Sequence, residues 1–166
     1  YNIKNVFEND NILDMSESAS VLSPQVEDEL KPAEESEFGK SFSKEQFQQA
    51  LKVGHVDSIT VFSKCHHGWS YHPTEVNEMH PELDFDLLGA QLEACREINV
   101  KAPVYISAGF DEKEYVKRPE WRYICSLEKD AAEEYEKEVH FHLLCFNTGY
   151  LDFLCKQIEE VMVKYS

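Results

Sequence analysis

Helix and strand patterns alternate from Ser43 to the end of this chain, and that alternation restricts its fold more than any single motif does. Ser43 opens a capping box with Gln46, and Phe47, Ala50 and Leu51 share one face, which predicts a helix from about Lys44 to Val53 that Gly54 stops. Within a few residues Asp57-Ser58-Ile59-Thr60-Val61-Phe62 alternates and is rich in β-branched side chains, as a strand is. Asp84 or Asp86 then caps a second helix, with Leu87, Leu88, Gln91, Leu92, Cys95 and Ile98 at three- and four-residue steps. Asn99 to Lys101 turn the chain into a second strand, Ala102 to Ala108, and Gly109-Phe110-Asp111 leave its carboxyl end. Pro119 to Val139 reads as an elaborated loop, with a short strand pattern at Trp121 to Cys125 and an acidic, helix-compatible run at Glu128 to Lys137. A last helix begins at Asn147 or Thr148, and its stripe of Leu151, Leu154, Ile158, Val161, Met162 and Tyr165 is expected to be buried.

Such alternation implies parallel strands joined by right-handed crossovers. A doubly wound sheet and a (β/α)8 barrel share the signature, and only the number of units separates them. A complete barrel needs about 200 residues or more, and this chain has 166. The expectation is therefore a partial (β/α)8 TIM barrel over residues 43–166, the alternative being a small doubly wound α/β domain. Residues 1–42 stand apart: Asn11 to Met15 is a weak strand pattern, and Ser, Pro and Glu dominate from Ser16 to Ser36, as in a long exposed loop. The first residue, Tyr1, implies an excised or processed segment.

Lys and Arg total 16 against 32 Asp and Glu, a formal net charge of −16. An electrostatic grip on nucleic acid phosphates or an anionic membrane is excluded on that balance, whereas a neutral ligand such as a sugar is allowed. No apolar run approaches the roughly 20 residues that span a bilayer. Five cysteines, an odd number without a CxxC, predict reduced, packed thiols of a cytosol-like setting rather than a disulfide framework. Beyond a ligand, the partner to expect is a second copy, since an open sheet edge invites self-association.

Three loops carry the chemistry, at or near strand ends: Lys64 to Thr74, Phe110 to Trp121, and His140 to Tyr150. Ligands of α/β folds sit at the carboxyl ends of the strands. Together these loops supply imidazoles, indoles, phenols and carboxylates. Sugar sites need that mixture, because aromatic faces stack on the apolar face of a pyranose while His, Asn and Asp bond its hydroxyls. Lys64, His66, His67, Trp69, Tyr71, Tyr105, Trp121 and Asn147 are the candidate substrate-binding residues. The plainer role for Trp69, Tyr71 and Trp121 is to cover the sheet end. Asp111, just past a strand end, is the best placed carboxylate for acid or base work, ahead of Glu112, Glu114 and Glu120. Cys65, His66 and His67 with His140 and His142 offer metal-ligand types, but no spacing here matches a finger or a HExxH helix, so neither a metal nor another cofactor is expected. A Cys65–His66 nucleophilic pair is disfavoured because sequence neighbours rarely align for proton transfer.

The run Val61 to Trp69, the helix start Asp84-Phe85-Asp86-Leu87-Leu88 and the strand Val104-Tyr105-Ile106-Ser107 resemble a segment of α-L-fucosidase-type glycoside hydrolases. There it reads Lys-His-His-Asp-Gly-Phe, then an Asp-led helix, then Tyr-Tyr-Ser. The resemblance is closer still to a group of hypothetical glycosyl hydrolases related to them, with Lys-Cys-His-His-Gly-Trp, here Lys64 to Trp69, and His-Pro-x-Leu-x-Phe-Asp-Leu-Leu, here His80 to Leu88. It covers about Phe47 to Tyr165. Both histidines of the fucosidase motif hold the sugar, which places His66 on the second of them. Cys65 stands at the first, His67 at the Asp, Tyr105 at the first Tyr, and Ile106 departs at the second. The resemblance implies a (β/α)8 barrel hydrolase whose nucleophilic Asp ends the strand after the helix corresponding to Asn147–Tyr165. The expectation is an amino-terminal portion of such an enzyme, with sugar-binding loops, without the nucleophile, and inactive alone; the alternative is a small α/β binding domain without catalysis.

Overall fold

The computed structural model describes residue 39, residues 41–123 and residues 140–166. The strand pattern at Asn11 to Met15, the Ser/Pro/Glu-rich segment, Ile124, Cys125 and the acidic run at Glu128 to Lys137 lie outside the described residues.

Helix α1, Lys44–Val53, starts where the Ser43 hydroxyl accepts the Gln46 N–H, one of the donors a helix start leaves unpaired. Gly54 follows it in an ordinary right-handed conformation, and the left-handed residue that turns the chain away is His55, at φ 50°. Helix α2, Leu87–Glu97, is capped by Asp86, not Asp84, through the Gly89 N–H at 2.8 Å. It buries Leu87, Leu88, Gln91, Ala94 and Cys95. Asn99, at φ 58°, performs the reversal after it; Asn tolerates that region because its short polar side chain finds local partners. The two helices pack together, with Gln48 donating to the Ala94 carbonyl at 2.9 Å and Lys44 paired with Glu97.

Strand β1, Val61–Lys64, pairs in parallel with β2, Val104–Ile106, in the register Val61 to Val104, Phe62 to Tyr105 and Lys64 to Ile106. A slip between Phe62 and Lys64 marks an irregularity. Both strands are shorter than their sequence patterns: Asp57 to Thr60 contribute a single bridge, Ser58 to Lys101, and the loop residue Lys64 belongs to the strand. Among the described residues the sheet has two strands.

A short helix that periodicity does not announce, α3, Glu112–Lys117, lies in the second loop, followed by a 3-10 turn at Pro119–Trp121. Of the strand pattern at Trp121 to Cys125, the described part forms one antiparallel bridge, Arg122 to Leu144. Helix α4, Gly149–Tyr165, is capped by Thr148. Of its expected buried stripe Leu154 is buried, Val161 and Tyr165 are half-buried, and Leu151, Ile158 and Met162 are exposed; the inward face is Tyr150, Leu154 and Gln157. Tyr150 decides this, since its ring fills the cluster with Tyr115, Leu144 and Leu154 while its hydroxyl accepts the Gly109 N–H at 2.9 Å. A Leu turned inward in its place could not satisfy that donor. Among the described residues no helix is long and apolar enough to cross a membrane, and Cys65, Cys95, Cys145 and Cys155 are free thiols.

Candidate functional site

The parallel strands deliver Lys64 and Ile106 to the same end of the sheet, so the loops that follow meet there. The first loop turns at once: the Gly68 N–H bonds the Cys65 carbonyl at 3.2 Å, closing a four-residue turn with His66 and His67 at its centre. Adjacent positions of such a turn send side chains in different directions, and these two do so.

Helix α3 is built on that turn. A helix start leaves N–H groups without intrahelical partners, and here three of them are met: Glu112 donates to the His66 carbonyl, Lys113 to the His67 carbonyl and Glu114 to Asp111 Oδ1 at 3.0 Å, after which Tyr115 makes the first intrahelical bond, to the Asp111 carbonyl. Asp111 also accepts from Lys64 Nζ at 2.5 Å, and both side chains are fully buried. The best placed carboxylate is thus held by an ion pair and a helix cap. Gly68 lies directly over it, with φ 97°.

His66 turns toward the second loop, its Nδ1 2.6 Å from Ser107 Oγ. The Ser107 hydroxyl donates to the Phe110 carbonyl at 2.8 Å, so its oxygen accepts from Nδ1–H, and Nε2 is left as the acceptor nitrogen of the ring. Burial, then the charges of His67 and Lys64, hold His66 below the usual imidazole range, which keeps it neutral near pH 7. Phe110 and Phe141 approach the ring edge-on, with centroids at 5.2 and 5.0 Å, and Tyr105 stands 6.3 Å away beside Phe62. His67 turns back to Cys65, Nδ1 to Sγ 3.1 Å, with Phe141 against its ring. Cys65 therefore pairs with His67 and not with its neighbour His66. Trp69 lies under Lys113 Nζ and beside His80, and Tyr71 also neighbours His80.

Lys64, His66, His67, Trp69, Tyr71, Tyr105 and Asp111 thus collect at one end of the sheet. Trp121 does not present an open ring: Arg118 stacks on it at 4.3 Å, Phe153 and Tyr150 pack near it, and its indole meets Gly149. Asn147 is exposed, between Phe146 and the Thr148 cap. Ser107, Phe110 and Phe141 are members that single-residue reasoning passes over. Phe141 lies between two histidines that draw attention as ligands, and Ser107, although it ends the stretch that resembles Tyr-Tyr-Ser, is a small hydroxyl whose role emerges only through its bond to His66. His142 is held by Glu112 through its backbone N–H and through Nδ1 at 2.9 Å, and stacks on Tyr115 at 4.4 Å. Among the described residues no three His, Cys, Asp or Glu side chains gather as a metal site requires.

His72, at the outer face of β1, is buried with both nitrogens engaged, by Ser63 Oγ and the Pro73 carbonyl, each at 3.0 Å. His66, His72 and His80 are all held below the ordinary value, with burial the largest cause. A base depressed in the folded state binds fewer protons there than in the unfolded chain. Stability is therefore complete above the unfolded value of about 6.5 and falls as pH drops below it. Thermal unfolding followed by circular dichroism is expected to give a Tm that decreases from about pH 7 to about pH 5.5, with a smaller decrease in His72→Gln. A Tm that is flat or rises on acidification would contradict this.

The family described as hypothetical glycosyl hydrolase 6 matches residues 43–166. Among solved structures, alpha-L-fucosidase isoenzyme 2 from Paenibacillus thiaminolyticus is similar at 50% sequence identity and a TM-score of 0.73, over 80% of this chain and 20% of that one. The alpha-L-fucosidase GH29 from Bacteroides thetaiotaomicron is similar at 18% identity and 0.53, over 75% and 25%. A bacterial fucosidase crystallised with a monovalent iminocyclitol inhibitor is similar at 18% and 0.52, over the same shares. The last two speak to the fold alone. The chain spans about a fifth of the length of the first of these relatives, and no curated protein matches it.

Proposed function

The chain belongs to the hypothetical glycosyl hydrolase 6 family, and we propose that its loops after β1 and β2 hold a sugar within a fucosidase-like, carbohydrate-active protein. The single observation that carries this reading is His66, locked by Ser107 with Nε2 as acceptor and walled by Phe110, Phe141 and Tyr105. A neutral imidazole acceptor beside aromatic edges suits a hydroxyl-bearing ring with one apolar face. His67 and Trp69 flank it, Tyr71 lies behind them, and Lys64 shapes the floor through Asp111. Trp121 and Asn147 join such a site only if the loops that bear them close over the ligand. The described strands fit part of a (β/α)8 barrel, since among the described residues neither pairs with a further strand and each carries an apolar side chain open to solvent on a face that further elements would cover, Phe62 and Val104.

Hydrolysis needs an acid and a base or nucleophile held about 5–9.5 Å apart across the scissile bond. Asp111 is occupied by Lys64 and the α3 cap, so this chain contributes sugar holding and not bond cleavage. Titration of L-fucose into the chain, followed by tryptophan fluorescence, is expected to give a saturable change that His66→Ala abolishes while the circular dichroism spectrum is retained. Turnover of nitrophenyl fucoside by the chain, lost in Asp111→Asn, would overturn the division of labour. Binding unaffected by His66→Ala would overturn the site.

A further inference from the structure

The turn that sends His66 toward Ser107 also folds His67 back onto Cys65, whose thiol the carbohydrate reading does not use. Sγ lies 3.1 Å from His67 Nδ1, the geometry of a thiol and the base that can take its proton. Tyr71 is fixed beside β1 by its backbone N–H on the Ser63 carbonyl at 2.8 Å, and its hydroxyl is hydrogen-bonded to the sulfur. We infer that Cys65 is an activated thiol and a modification site for soft electrophiles, small disulfides and alkylating carbons, with His67 and Tyr71 as its positioning residues.

The local electrostatics agree with the geometry. Burial pushes the Cys65 thiol up, but the hydrogen bond and charge of His67, with the Tyr71 hydroxyl, outweigh it and bring the thiol below its ordinary value. Burial, then the neighbouring Cys65, drives the Tyr71 hydroxyl far above its own range, so it stays protonated and donates to the sulfur. Cys95 shows the contrast: buried on α2, it is pushed up by burial alone. Cys65 is half-buried, whereas Cys95 is sealed. Reactive cysteines occupy partly exposed sites of this kind, and structural ones do not.

The exchange step balances without an added oxidant. The Cys65 sulfur attacks one sulfur of a small disulfide such as oxidised glutathione, and its proton passes to the His67 ring. A new S–S bond joins Cys65 to that half, the original S–S bond breaks, and the departing half leaves as a thiolate that takes a proton from His67 or solvent. With iodoacetamide, an S–C bond forms, the C–I bond breaks and iodide leaves.

Peptide-resolved mass spectrometry of the full chain treated with iodoacetamide at neutral pH tests the inference, with the exposed Cys155 as an internal reference. Cys65 is expected to react roughly tenfold faster than Cys155 or more, and oxidised glutathione to modify it first. His67→Gln and Tyr71→Phe are expected to lower the Cys65 rate and leave the Cys155 rate unchanged. Alkylation of Cys95 reports a variant that fails to fold, in which case the wild-type ratio of Cys65 to Cys155 decides. A Cys65 rate at or below that of Cys155, or one untouched in folded His67→Gln, would overturn it. Sugar binding does not enter these measurements, so this inference and the carbohydrate reading fail separately.

Discussion

Asp111→Ala is expected to destabilise the chain by about 3–5 kcal/mol, because it leaves the Lys64 ammonium buried and unpaired. The same change removes the cap on the Glu114 N–H, worth about another 1 kcal/mol. Both partners are fully buried, so solvent does not screen the pair. Urea unfolding monitored by circular dichroism measures the loss. Two further variants separate the contributions. Asp111→Asn retains a side-chain oxygen for the cap but not the charge, and should fall between the wild type and Asp111→Ala. Lys64→Met with Asp111→Asn removes both charges and should recover much of the loss, since replacing a buried pair with neutral groups of similar volume is often close to neutral. Unfolding of Asp111→Ala at the wild-type urea concentration would mean that the carboxylate is not structural, and would restore it as a candidate for acid or base work.

Gly68→Ala should be nearly as damaging, by a different route. A Cβ there would lie 2.2 Å from Asp111 Oδ1 and 2.8 Å from the Cβ of Lys113, atoms fixed by the ion pair and by α3. The backbone at φ 97° is also one that side chains rarely adopt, which by itself costs about 1–3 kcal/mol. The collision falls on the oxygen that caps Glu114 and displaces the carboxylate whose other oxygen holds Lys64, so the effect should approach that of Asp111→Ala. Gly109→Ala provides the comparison. Its φ of 87° carries a similar backbone penalty, but its Cβ would meet the flexible end of Leu143 at 3.3 Å and no ion pair. A Gly68→Ala midpoint equal to that of Gly109→Ala would rule out the clash as the cause.

The two variants touch one assembly, in which the His66–His67 turn, Gly68, Asp111 and the first turn of α3 hold one another. That assembly explains why a loop dense in imidazoles can present them in defined directions. Its carbonyls are anchored by the N–H groups of α3, and its floor is the Lys64–Asp111 pair. The positions after α1 and α2 differ in this respect. After α1, Gly54 stops the helix but His55 takes the left-handed conformation; after α2, the turn falls on Asn99, where the sequence puts it. A glycine at a helix end marks the stop and does not by itself say which residue turns.

What the sequence determined by itself were the features whose partners lie three or four residues away. The cap at Ser43 bonds an N–H group within its own first turn; the sequence narrows the other two to Asp84 or Asp86 and to Asn147 or Thr148, of which the structure uses Asp86 and Thr148, and the helices they start lie where the apolar spacing along the chain puts them. The gathering of His66, Trp69 and Asp111 at one end of the sheet followed from parallel pairing, which alternation implies. Only the tertiary structure decided how those side chains are used, because their partners are distant in sequence: Lys64 meets Asp111 47 positions away, His66 meets Ser107 41 away, and Glu112 meets His142 30 away. Helix α4 shows the same limit. It carries apolar residues on more than one face, and the inward one was chosen by a hydrogen bond from Gly109, 41 residues earlier, to the Tyr150 hydroxyl. Periodicity records that a face is apolar; which face is buried depends on the shape and the unpaired donors of whatever it packs against.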